Sequence, residues 1–143
     1  MPRHVVRFSL LTALALMLGF GSAAQAQDSS TKAAQSAAEE WLLLIDGQNY
    51  AASWDTAAVM FRNAINQEKW RAAVQAARTP FGQMKSRTLQ SATSATTLPG
   101  APDGEYLVLR YTTSFENKAA ALETVTAMRE KDGTWHVAGY FVK

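Results

Sequence analysis

The chain has 143 residues, 14 Lys and Arg against 12 Asp and Glu, 48% hydrophobic residues and no cysteine. A disulfide-held fold and a lipid anchor on cysteine are excluded, so the core has to rest on apolar burial. The formal charge of +2 comes from Arg3 and Arg7 alone, which leaves the rest of the chain balanced and gives no electrostatic footing for nucleic acid.

The first 26 residues have the layout of an export signal. Arg3 and Arg7 form a positive start, Phe8 to Phe20 is an uncharged and mostly apolar run, and Ala24-Gln25-Ala26 is a small-x-small cleavage site. Crossing a bilayer takes about 20 apolar residues, so this run is too short to be a retained anchor. Cleavage predicts a periplasmic or secreted protein that begins at Gln27 and has no membrane attachment. Removing 26 of 143 residues leaves 117, the size of one domain spanning 27–143. His136 is then the only imidazole, and a zinc site of cysteine and histidine cannot be assembled within one subunit.

Three short helices are expected next. Asp28 to Ala34 reads as a small, polar and frayed leader. The apolar positions Ala34, Ala37, Ala38, Trp41, Leu42 and Ile45 then recur at spacings of three and four, giving a helix from about Thr31 to Asp46 that Gly47 interrupts. Asn49 is placed to cap a second helix, with Trp54, Ala57, Ala58, Phe61 and Ala64 or Ile65 on its buried side and its end near Ala64. Asn66 is placed to cap a third, with Trp70, Ala73, Val74 and Ala77 inward, which stops at Arg78-Thr79 because Pro80 disfavours helix in the residue before it.

After Gly82 alanine gives way to Thr, Ser, Val and aromatic residues, a strand composition. Turn signals at Leu98 to Gly104, Glu116-Asn117-Lys118 and Asp132-Gly133 bound four strands, near Gln83 to Thr97, Glu105 to Phe115, Ala120 to Glu130 and Thr134 to Val142. Short connections imply an antiparallel meander. The fold class is α+β, three helices packed on one face of a curved four-stranded sheet. Alternation puts Leu107, Leu109, Tyr111, Thr113 and Phe115 on one face of the second strand. In the last it groups Trp135, Val137, Gly139 and Phe141 against His136, Ala138, Tyr140 and Val142. Both faces then carry apolar groups, and a homodimer covering the outer face would account for that.

The segments Trp41-Leu42-Leu43-Leu44-Ile45-Asp46-Gly47, Tyr50, Ser53-Trp54, Trp70, Arg78, Gly82 and Arg87 run in order into Leu98-Pro99-Gly100, Pro102-Asp103-Gly104-Glu105-Tyr106 and Phe115. Glu123-Thr124, Asp132-Gly133-Thr134-Trp135 and Gly139-Tyr140 complete the series. In this pattern the chain resembles an exported bacterial family catalogued as a domain of unknown function, number 4019. More distantly, three helices and a bent antiparallel sheet ending in an Asp-Gly-x-Trp hairpin resemble the cone-shaped superfamily named for nuclear transport factor two. That superfamily implies a cone and spans binding proteins and acid-base enzymes, so it does not decide chemistry.

No nucleophile elbow, metalloprotease helix, phosphate loop or basic tract is present, so no catalytic residue, cofactor or metal is assigned. The candidate ligand-binding residues are Trp41, Tyr50, Trp54, Arg87, Arg110, Glu123 and His136. Arg87, Arg110 and Glu123 sit near the middles of separate strands. At the mouth of a cone they would suit an anionic small molecule, because guanidinium forks match carboxylate and phosphate. The plainer reading is a cross-strand charge cluster on a solvated face. The aromatic residues, with Trp70, suit a pocket lining, but their helical spacing is better explained as core. Trp54→Ala and Trp135→Ala are expected to cost about 3 to 5 kcal/mol, and His136→Ala little. Two functions follow: a non-catalytic module that binds a small molecule or a second copy, or a cofactor-free acid-base enzyme. The enzyme would use His136 or Glu123 as proton carrier and Tyr50 or Tyr111 as hydrogen-bond donor.

Overall fold

The computed structural model describes residues 21–143. Most of the expected export signal, residues 1–20, lies outside them. Helix α1 spans Gly21–Asp46, so the segment expected to fray is helical and continuous with the stripe that follows. That stripe is buried as its spacing requires, with Ala34, Ala38, Trp41, Leu42 and Ile45 all in the core. The helix closes through Gly47, Gln48 and Asn49, whose amides return to Leu43, Ile45 and Leu44 carbonyls, and Gln48 takes the left-handed conformation at φ 59°.

The expected second helix is two. Helix α2 covers Tyr50–Asp55 and α3 covers Val59–Ala64, and Asn49 makes no side-chain cap. The break lies where the edge strand offers better partners. Ala58 N donates to Val137 O at 2.8 Å, Val59 N donates to Glu130 Oε1 at 2.9 Å, and His136 Nδ1 lies 3.0 Å from Thr56 O. Ala57 and Ala58 stay buried, so the apolar spacing is kept although the backbone is not helical there. Helix α4, Gln67–Arg78, matches its expected limits, with the Asn66 side chain accepting from Lys69 N. A single 3₁₀ turn, Thr79–Phe81, follows.

Strands β1 (Met84–Ala95), β2 (Tyr106–Phe115), β3 (Lys118–Arg129) and β4 (Trp135–Val142) form one antiparallel sheet in the order β1-β2-β3-β4. Helix α1 lies against β2, β3 and β4, and α2 packs on α4. The protein is therefore of the α+β class. Register shifts interrupt all three ladders, and such bulges bend and twist the strands that carry them. The one in β4 has the largest consequence. Val137 pairs with Ala127 and Gly139 with Thr126, so Ala138 is the extra residue and the alternation reverses beyond it. Tyr140 turns toward the helices and packs on the core, whereas Phe141, expected beside Val137, is 58% exposed.

Gly82 joins the 3₁₀ turn to β1 at φ 74°, ψ −159°, a region close to glycine-only. A Cβ there would also stand 2.9 Å from Glu116 Oε2. Gly82→Ala is expected to lower stability by about 1–3 kcal/mol, read from the urea midpoint. An unchanged midpoint would mean that the turn relaxes freely.

Candidate functional site

Four charged side chains meet beneath α1. Asp46 ends that helix, where a carboxylate opposes the helix dipole and calls for cations. Two arrive, Arg78 from the end of α4 and Arg87 from β1. Arg87 Nη1 donates to Asp46 Oδ2 at 2.8 Å and its Nη2 to Oδ1 at 3.0 Å, while Arg78 Nη2 donates to Oδ1 at 2.9 Å. Arg87 Nε turns the other way and donates to Glu123 Oε1 at 2.8 Å. Glu123, fully buried on β3, also accepts from Thr113 Oγ1 at 2.5 Å and, at Oε2, from the Tyr140 hydroxyl. Arg78 Nη1 stands 4.0 Å from that same oxygen. Two acids and two arginines balance, and β1, β3, β4, α1 and α4 are tied at one point.

Burial opposes the charge of Arg87, but its hydrogen bonds to Asp46 and Glu123 and their negative charges outweigh this and hold the guanidinium above its ordinary pKa. Arg78 is raised likewise, with Tyr140, Asp46 and Glu123 outweighing burial. Burial, then the charge of Glu123, pushes the Tyr140 hydroxyl well above the usual phenol range. Burial, then Glu39, pushes Tyr111 up to about 12, and its hydroxyl has no partner. A raised folded-state pKa favours the neutral phenol in the fold, so the stability that depends on it is complete below the unfolded value near 10 and falls as pH climbs through the folded values. Tyrosinate absorbance is thus expected to show Tyr111 and Tyr140 ionising only with alkaline unfolding. In Tyr140→Phe the pH-dependent loss should shrink. Full ionisation of both in a still-folded chain would contradict the burial.

The seven expected ligand residues do not form one constellation. Arg87 and Glu123 do meet, but in a buried cluster and not on a solvated face. Arg110 stays out: Leu109 and Tyr111 point inward, so the residue between them points outward and is exposed. Trp41 is core, 3% exposed, with its indole donating to Ser53 O. Trp54 and Tyr50 are half-buried against the core, and Trp54 Nε1 donates to Ile65 O. Trp54 and Trp135 are thus less deeply set than expected, and Trp41 and Trp70 take the central places. Asp46, Arg78, Thr113 and Tyr140 are the members of the cluster that were not foreseen.

His136 lies at the sheet edge. The Thr56 carbonyl can only accept, so Nδ1 carries the proton of that bond, and Nε2 lies 2.9 Å from Thr134 Oγ1. Thr134 in turn donates to Asp132 Oδ1 from its side chain and its backbone, and these two bonds, the larger causes, hold the Asp132 carboxyl below its usual pKa. The imidazole therefore closes a carbonyl that the α2–α3 break leaves open. His136→Ala is expected to cost about 0.5–1.5 kcal/mol, one net hydrogen bond, measured by urea unfolding. A loss several times larger would assign the ring to the core.

Among the described residues, open space meets the ionic cluster only on its outer side. A 390 Å³ cleft separates the early turns of α1, from Gln27 to Thr31, from the end of β1, the start of β2 and Trp135. A 280 Å³ cleft lies between Trp41, Glu40 and Leu44 on one side and Trp135 to Val137 on the other. A 180 Å³ depression exposes the outer side of Asp46 and Arg78 beside Tyr50, Gln48 and Glu116. Glu123, Thr113 and Tyr140 line none of these three. Among the described residues no group of three or more acidic or histidine side chains is placed to hold a metal, and no helix is long and apolar enough to cross a membrane.

Helices on one face of an antiparallel meander, with a closed ionic cluster inside and clefts at the rim, define a small α+β protein. The family model described as "Protein of unknown function (DUF4019)" matches residues 37–140, and the chain belongs to that family. No curated protein and no solved structure matches it.

Proposed function

We propose that this protein is an exported, non-catalytic module, a single domain over 27–143 in the periplasm or outside the cell, that binds a small molecule in the 390 Å³ cleft. Its outline is that of a cone like nuclear transport factor two, with the interior filled. The observation that carries the reading is the enclosure of Glu123, fully buried among its donors. Three donors bond its oxygens, Arg78 Nη1 flanks Oε2 at 4.0 Å and no described cleft reaches it, so the best-placed interior carboxylate has no route by which a ligand's proton could arrive. The rim cleft, by contrast, falls in the 300–1,000 Å³ range of ligand sites. Self-association has less behind it, because the large exposed apolar side chains Leu43, Val59 and Phe141 sit on three separate elements.

The test is mass spectrometry of the full chain expressed with its own leader and recovered from the periplasmic fraction. The denatured mass should begin at Gln27, and the native spectrum should retain a small-molecule adduct on a monomer. An uncleaved chain confined to the cytoplasm would overturn export. A bare dimer would favour self-association instead.

A further inference from the structure

Trp135 is the odd member of the four tryptophans. The indole N–H groups of Trp41, Trp54 and Trp70 donate to Ser53 O, Ile65 O and Ser53 Oγ, whereas Trp135, among the described residues, has no protein acceptor. Its half-exposed ring borders both the 390 Å³ and the 280 Å³ cleft. An indole left with one face and its donor available offers apolar contact and a directed hydrogen bond to the same ligand.

The other walls of the 390 Å³ cleft say what that ligand is. Ser30 and Thr31 on α1 face Ser94, Thr96 and Thr97 on and after β1, and none of these hydroxyls is bonded within the described residues. Each can donate and accept. No Lys or Arg lines the cleft, so it lacks the charged donors that favour carboxylates and phosphates. The one carboxylate, Glu105, is held by Arg129 at 2.9 Å, so a free cation gains little. Apolar surface is limited to Trp135, Ala95 and Leu107 with the Tyr106 ring, too little to wrap a lipid tail.

We propose that the cleft takes a neutral polyhydroxylated ring, a single sugar residue, with its C–H face on Trp135 and its hydroxyls on the Ser and Thr side chains of α1 and β1. The 390 Å³ volume lies at the small end of ligand sites and suits one ring, not a long oligosaccharide. This inference rests on the binding function proposed above and adds the ligand class.

The experiment is amide and indole NMR titration of the full chain with glucose and N-acetylglucosamine, run beside glutamate, putrescine and octanoate. The sugars are expected to shift the Trp135 indole and the Ser94–Thr97 amides in a saturable way. Thr31→Val and Ser94→Ala each remove a hydroxyl at little structural cost and should weaken binding at least fivefold. Trp135→Phe should lose the N–H bond and weaken it about tenfold. Cleft shifts with glutamate, putrescine or octanoate and none with sugars would overturn the ligand class while leaving the binding function standing. No cleft shift with any probe at tens of millimolar would overturn both.

Discussion

Glu123→Leu is expected to destabilise the protein by about 3–5 kcal/mol. The side chain is fully buried, and its removal leaves Arg78 and Arg87 facing Asp46 alone, with one positive charge uncompensated at sites 6% and 11% exposed. Thr113 and Tyr140 lose their acceptor as well. The Arg87→Met/Glu123→Leu double variant removes one charge of each sign and keeps the Asp46–Arg78 pair. It should be less destabilised than Glu123→Leu alone, because replacing a buried pair by apolar groups of similar volume is close to neutral whereas breaking it is not. Urea unfolding of both singles and the double gives the coupling directly. Strict additivity, or a Glu123→Leu midpoint near wild type, would mean that water reaches the cluster.

The class of fold was legible because its signals are local. The spacing of Trp41, Leu42 and Ile45, the Asn66 cap, the Pro80 stop and the Asp132-Gly133 hairpin each act within a few residues, and each appears where the spacing puts it. The break between α2 and α3 was not legible. Apolar periodicity runs through Ala57 and Ala58 without a gap, and what ends the helix is a set of partners on β4 and the turn before it, Val137 O and Glu130, about 70 or more residues away in the chain. Propensity yields to tertiary hydrogen bonds of that kind.

The site was half legible for a related reason. Arg87 and Glu123 could be named because strand position shows which charges lie mid-sheet. Arg110 could have been set aside, since strict alternation in β2 turns it outward once Leu109 and Tyr111 are inward. Asp46 carried a signal that went unused, an acid in the last turn of a helix with no basic residue in that turn. Tyr140 carried an indirect one. Period-two reasoning places it with His136, and only the extra residue at Ala138 turns it onto Glu123, a bulge that the adjacent Gly139, an isolated glycine inside a strand, could have announced.

Trp41→Ala is expected to cost about 3–5 kcal/mol and to be the most damaging of the four tryptophan truncations. The ring is 3% exposed, with its centroid 6.0 Å from Trp70 and 5.4 Å from Tyr140, so its loss opens a cavity between α1, α4 and β4. It also strips the buried Ser53 carbonyl of its donor at 2.8 Å, next to the hydroxyl that receives Trp70 Nε1. Trp41→Phe refills most of the cavity without the N–H and should fall between wild type and Ala. Trp54→Ala, from a half-buried site, should cost less. Thermal and urea unfolding of the series would sink this ordering if Trp54→Ala proved worse. Tyr140 touches both the Trp41 ring and Glu123, so Trp41→Ala loosens the phenol that Glu123 depends on. The Trp41→Ala/Glu123→Leu double should therefore lose less than the two singles added together, whereas full additivity would mean that the aromatic core and the ionic cluster hold the sheet independently.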